Sequence, residues 1–205
     1  MSTILDPPIQ EEIRLDLHSA GEPEHRKNTP GLLGGRIWGA LRLAIGWVFL
    51  WAFLDKLLGL GFSTGRDAET GAIDFFSDAA WINGGSPTSG FLENGLHTKG
   101  FLVDFYGSFA GSAFIDWVYM ASMLLIGTAL MLGIFTRLAA VAGIAWMLMF
   151  YTASALWPEN NPVIDDHVVY AIVLAGIAIV SAGRYLGFGR RWERLPMVRR
   201  HSILR

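Results

Sequence analysis

The sequence predicts an all-α membrane protein, a four-transmembrane-helix bundle with a long outer loop containing short interfacial helices. Three observations carry this prediction. The 205-residue chain is 52% hydrophobic and only 17% charged, with a mean hydropathy of +0.39, too apolar for an ordinary soluble domain of this size. Residues 117–136 and 138–157 carry no charge, and each run can cross a hydrocarbon core of about 30 Å at about 1.5 Å per residue. Lipid offers no partners to exposed backbone N–H and C=O groups, so spans of this kind must be helices.

Residues 1–30 are polar, acidic and punctuated by proline. They are expected to form a flexible cytoplasmic arm rather than a cleavable signal peptide. Ile9, Ile13 and Leu17 have the spacing of a short amphipathic helix within that arm. A membrane domain is expected over 31–192. Its first span, about 36–60, contains Arg42 and ends in Asp55 and Lys56, so it must hide or snorkel charge. The outer loop occupies 62–114. The second and third spans are about 115–136 and 138–157. The fourth, about 166–184, has an uncharged stretch of only 168–183, and crosses if His167 and Arg184 sit in the two headgroup layers. Residues 193–205 form a basic cytoplasmic tail.

Orientation follows from the Lys and Arg residues. Arg26, Lys27, Arg36, Arg137 and the arginine-rich tail mark the inner side, whereas loop 62–115 is acidic and the 158–167 turn has no Lys or Arg. Both termini are therefore expected in the cytoplasm. In the loop, Ile73, Phe76 and Ala80, and then Phe101, Phe105 and Phe109, recur at helical spacing, as in short helices at the membrane surface. Trp81, Gly84 and Gly85 belong to the turn-rich stretch "AWINGGSPTSGFLENG". It reads as a structural turn or as a backbone nest for a small anion. No Gly-Lys-Ser/Thr follows it, which argues against a phosphate loop.

Arg42, Gly46, Phe49, Phe53 and Lys56 share one face of the first span. Arg42 reads either as an intramembrane binding group or as a cation snorkelling to the inner headgroups. At the outer end, Asp55, Lys56, Asp116, Asp165, Asp166, His167 and Tyr170 fall at one depth. They read as a pocket handling protons and anions, with Asp166, His167 and Asp165 as candidate catalytic acids and bases. Helix capping by Asp165 or Asp166 is the structural counterpart. Trp47, Trp51, Trp117, Trp146 and Trp157, with Tyr119 and Tyr151, read as an interfacial belt or as the lining of a quinone slot. Ala171, Ala175, Ala178 and Ala182 mark a packing seam.

The absence of cysteine excludes thiol relays, thiolate-held iron–sulfur clusters and zinc held through sulfur. No histidine lies in the middle of a span, so haem is not expected, and neither a metal-ligand spacing nor a dinucleotide fingerprint appears. The net charge of −2 accompanies no expected nucleic-acid partner.

Four stretches, "LRLAIGWVFLWAFLDKLLGLGFSTG", "AWINGGSPTSGFL", "GTALMLGIFTRLAAVAG" and "PVIDDHVVYAIVLAGIAIVSAGRYLGFGRRW", together resemble the DoxX/DoxD family of bacterial membrane proteins over about residues 36–192. The similarity is strongest to the actinobacterial type of the DoxD-like subunit of thiosulfate:quinone oxidoreductase. This resemblance implies a multi-pass protein of the bacterial cell membrane that passes electrons from thiosulfate to a membrane quinone. It would place the family's first-helix cations at Arg42 and Lys56 and its loop signature at Trp81 to Leu92. The last-helix motif would fall on Asp165, Asp166, His167 and Tyr170. The chain reads as the DoxD-like half, so a second subunit or a soluble redox partner is expected. Lys56, Arg66 or loop amides would hold thiosulfate, while quinone enters between helices from the bilayer and is protonated by Asp166 and His167. Two other functions fit the same sequence: a non-catalytic membrane scaffold that docks redox or sulfur-handling partners, and a small-solute transporter.

Overall fold

The computed structural model describes residues 31–67, 69–96, 102–156, 158 and 162–204. The arm 1–30 lies outside the described residues, as do His97, Lys99, Phe101 and Trp157. In chain order the α-helices are α1 (Leu32–Leu58), α2 (Ser89–Asn94), α3 (Val103–Gly107), α4 (Ala113–Leu132), α5 (Thr136–Phe150), α6 (Asp166–Ile179), α7 (Gly189–Trp192) and α8 (Pro196–Arg200). A π-helical turn, Tyr151–Ala155, continues α5. No β-strand occurs among the described residues.

Three of these helices, α1, α4 and α5 with its π turn, are long and apolar enough to cross a membrane. Their outward surface is apolar as well. Along α4, Asp116, Tyr119, Met120, Met123, Ile126, Gly127 and Leu130 are buried at steps of three and one, the stripe of a helix packed on one side. The opposite side presents Phe114, Trp117, Val118 and Leu125, where a water-facing helix would carry charge. On α1 the buried stripe is Gly39, Arg42, Ile45, Gly46 and Phe49, and Ile37, Leu41 and Val48 face out.

Helix α1 packs on α4 and α6, and α5 packs on α4 and α6. The core where they meet contains Phe49, Met120, Met123, Leu130, Leu174 and Ile177. Close approach of α1 and α4 rests on two glycines. A Cβ on Gly127 would lie 2.7 Å from the Leu50 amide nitrogen, and one on Gly46 would lie 2.9 Å from Leu130 Cβ. Small residues of this kind let helix backbones meet in lipid, where dispersion contacts rather than water exclusion drive association.

Several boundaries differ from expectation. The first helix starts at Leu32 and stops at Gly59, which takes the left-handed conformation that glycine adopts without strain. The second and third spans turn at Gly133–Phe135, both with positive φ, so Arg137 sits in the first turn of α5 rather than in the joint. The fourth helix is 14 residues long, shorter than the expected 166–184. Ser181 (φ 52°) breaks it before a 3-10 turn at Ala182–Arg184. Its packing seam is Ala171, Leu174 and Ile177, whereas Ala175 and Ala178 are only half-buried. No helix forms around 73–80. Phe76 has a φ of 57°, and the Asp74 and Phe76 amides donate to the Gly65 and Gly59 carbonyls at 2.8 and 3.0 Å. The loop backbone thus satisfies itself by folding back on the end of α1.

Candidate functional site

The end of the protein that carries loop 62–114 is tied down by two buried carboxylates. Asp55, in the last turn of α1, accepts from the amides of Phe62, Ser63 and Thr64 at 3.1, 2.9 and 3.0 Å and from the Ser63 hydroxyl at 2.8 Å. Asp116, in the first turn of α4, accepts from the Thr88 amide at 3.1 Å and the Ser86 and Thr88 hydroxyls at 3.0 and 2.7 Å. A carboxylate accepts several hydrogen bonds at once, and each is strengthened by its charge. The two aspartates thereby pin the loop at residues 62–64 and 86–88, and both act as loop anchors.

Between the pinned loop and the helices lies a cavity of about 760 Å³. Pro87, Phe91 and Leu92 line it from the first half of the loop, Phe105, Tyr106 and Phe109 from the second, Tyr119 from α4, and Trp146, Met149 and Phe150 from α5. The rings form a continuous wall. Tyr119 meets Trp146 edge-on at 5.5 Å, Trp146 meets Phe150 at 5.6 Å, and Phe91 meets Phe150 edge-on at 5.5 Å. The Tyr106 hydroxyl lies 2.9 Å from Thr152 Oγ1 and closes the loop onto the π turn. The cavity also contains a cation, Lys56. Its Nζ lies 3.5 Å from Thr64 Oγ1, while the adjacent Asp55 carboxylate is occupied by the loop. An apolar, ring-lined cavity with a few polar groups has the chemistry of a site for a small organic ligand.

Asp165 is the N-cap of α6. One carboxylate oxygen accepts from the Val168 amide at 3.1 Å and the other lies 2.5 Å from His167 Nδ1. One side chain thus caps the helix and orients the imidazole. The His167 ring stands 5.8 Å from that of Phe150, which lines the cavity. Asp166 is exposed. Among the described residues no hydrogen bond or ion pair links Asp165, Asp166 or His167 to Lys56, Asp55 or Asp116. The expected single cluster is thus three separate arrangements at one end: two loop anchors, a lysine in the cavity, and a carboxylate–imidazole pair beside Phe150. Tyr170 packs on the core.

The other expected site residues have structural surroundings. Arg42 is fully buried in the first half of α1, about 21 Å from Lys56 along the axis. It donates to the carbonyls of Leu130, Met131 (3.0 Å), Tyr185 (3.1 Å) and Leu186 (2.9 Å). Arg66 donates from Nε to the Gly61 carbonyl at 2.7 Å. Trp81 packs edge-on against Trp117 at 4.6 Å. The amides of Gly84 and Gly85 donate to the carbonyls of Trp81 and Ala80, so neither is available to a bound anion. Gly84 has a φ of 94°, and a Cβ on Gly85 would fall 2.2 Å from the Ala79 carbonyl oxygen. Gly85→Ala is accordingly expected to lower stability by about 1–3 kcal/mol through enforced backbone displacement. The measurement is thermal unfolding in detergent followed by tryptophan fluorescence, and an unchanged midpoint would refute the turn assignment.

Of the aromatic residues read as a quinone slot or belt, Trp146 and Tyr119 line the cavity. Trp47 and Trp51 instead pair with each other at 5.5 Å, and Tyr151 donates its hydroxyl to the Val163 carbonyl at 2.8 Å. Phe91, Phe105, Tyr106 and Phe150 were not singled out as site residues. The four-residue repeat of phenylalanines at 101, 105 and 109 was the signal that a loop segment had an apolar face to bury. No protein-family model, curated protein or solved structure matches the chain.

Proposed function

We propose that the chain is the membrane subunit of a quinone-linked oxidoreductase of the DoxX/DoxD type, with the quinone head in the loop-end cavity. The observation that carries this reading is the cavity itself, about 760 Å³ of largely aromatic space, within the range that encloses a small organic ligand. In this reading α1, α4, α5 and α6 form a four-span bundle in a bacterial cell membrane, both termini lie in the cytoplasm, and the cavity opens at the outer leaflet. Lys56 donates to a quinone carbonyl oxygen and stabilises the negative charge that develops there on reduction. His167, oriented by Asp165 beside Phe150, serves the proton supply.

The overall chemistry is the oxidation of two thiosulfates, one electron each, to a sulfur–sulfur-linked dimer. One quinone takes up those two electrons and two protons. Electrons reach the quinone from a donor bound at the outer face or through a second subunit or soluble partner. The test is titration of a short-chain quinone into the purified chain, read by quenching of Trp146 fluorescence, with thiosulfate-dependent quinone reduction measured in parallel. Lys56→Met keeps the alkyl stem and removes the donor. It is expected to weaken binding about tenfold, the equivalent of one charge-assisted hydrogen bond. Met149→Trp is expected to obstruct part of the cavity and weaken binding while the protein stays folded. Absence of saturable quinone binding by the folded chain would overturn the assignment. Quinone binding without turnover, alone or with a partner, would favour the scaffold function instead.

A further inference from the structure

The chain after α6 is held across the helix ends. Tyr185 lies against Gly35 and Gly39 of α1, and its carbonyl and that of Leu186 accept from Arg42. The Phe188 amide donates to the Leu132 carbonyl at 2.8 Å. Trp192 packs on Phe135 at 4.4 Å and donates from Nε1 to the Leu204 carbonyl at 2.6 Å. Val198 is fully buried, and residues Ser202–Leu204 pack on α5. The basic tail, over its described part, is therefore ordered on α5, and together with Tyr185, Leu186 and Phe188 it completes a layer over the ends of α1, α4 and α5. Those ends are where hydrocarbon must give way to headgroups if these helices cross a bilayer.

The composition of this layer is lopsided. Glu193 is its one acid between 184 and 204, and both its carboxylate oxygens are held by Arg184 Nε at 2.9 and 2.8 Å. Arg190, Arg191, Arg194, Arg199 and Arg200 are exposed. Interleaved with them, Leu186, Phe188, Leu195, Met197 and Ile203 are 45–58% exposed. That much outward apolar surface among cations, at the level of the helix ends, suits the bilayer interface, where alkyl and aromatic groups enter the acyl boundary and guanidinium groups meet phosphates.

We propose that residues 186–204 form a binding surface for anionic phospholipid headgroups of the leaflet facing the tail. The cation excess supplies the charge complementarity, and the apolar residues set the depth. An acidic protein would engage the arginines but leave these apolar groups unaccounted for. The inference is independent of the quinone reading and requires only that α1, α4 and α5 cross the membrane.

The experiment reconstitutes the full chain into equimolar phosphatidylcholine–phosphatidylglycerol vesicles, extracts it mildly, and measures the ratio of the two lipids retained. The wild type is expected to enrich phosphatidylglycerol and to lose that enrichment in high salt. The triple variant Arg190→Gln, Arg191→Gln, Arg194→Gln leaves the Arg184–Glu193 pair intact. Each arginine at an anionic surface contributes about fivefold, so this variant is expected to lower the preference at least about tenfold. The matching triple lysine variant is expected to retain most of it. Unfolding midpoints establish that both variants are folded. If the glutamine variant does not fold, the wild-type salt titration decides by itself. Equal retention of the two lipids by the wild type, or salt-independent enrichment, would overturn the proposal. Binding of polyglutamate without a lipid preference would overturn it in favour of an acidic protein partner.

Discussion

Arg42→Met is expected to be the most destabilising single substitution in the protein, by about 3–5 kcal/mol. The guanidinium holds four backbone carbonyls from two segments: Leu130 and Met131 at the end of α4, and Tyr185 and Leu186 beyond α6. Methionine fills the volume but withdraws all four side-chain donors; the Leu130 carbonyl keeps the Gly133 amide at 3.2 Å, and loss of the donor to a buried acceptor costs about 1–3 kcal/mol. Removal of a buried cation returns part of this, because a charge held in an apolar interior carries a desolvation penalty. Arg42→Lys is expected to be intermediate, since an ammonium cannot span both carbonyl pairs as the planar fork does. Reversible unfolding in mixed micelles measures the loss, and a variant as stable as the wild type would refute the clamp. Quinone affinity per folded molecule is expected to be unchanged, which separates this structural role from the ligand-binding role that the sequence allowed.

Asp55→Asn is the second large effect, expected at about 2–4 kcal/mol. The carboxylate accepts from three consecutive amides and a hydroxyl. Asparagine keeps one acceptor oxygen and turns an NH₂ group toward N–H donors. The 62–64 turn should then detach, and tryptic cleavage after Arg66 should accelerate while the membrane helices persist. Since Ser63 and Lys56 both line the cavity, quinone binding should weaken in parallel. Unchanged proteolysis and unfolding would show that the turn is held by other means.

The membrane class and the approximate spans were legible because lipid imposes long uncharged runs and forbids open backbone, constraints that act locally along the chain. The polar residues were legible as exceptions to those runs, but not their duties. Arg42, Asp55 and Asp116 stand out for the same reason an intramembrane ligand site would, because a buried charge is costly whatever it holds. Their partners are backbone groups that carry no sequence signature. The 73–80 segment shows the opposite failure: its helical periodicity is outweighed by hydrogen bonds to Gly59 and Gly65 that no local pattern announces. The cavity was only partly visible, in Tyr119, Trp146 and the phenylalanine repeat. Phe91, Tyr106 and Phe150 meet there through contacts distant in sequence.

The polarity of the buried anchors has a consequence for biogenesis. Near the tail end a cation gathers carbonyls, and at the loop end two anions gather amides and hydroxyls. In the proposed orientation this arrangement repeats, inside the protein, the same asymmetry that the loops display outside it. An inverted chain would have to deliver Arg42, with the other inner-side cations, through the bilayer. In that orientation Arg42, which locks the folded state, would also bias insertion, so one side chain would serve both topology and packing.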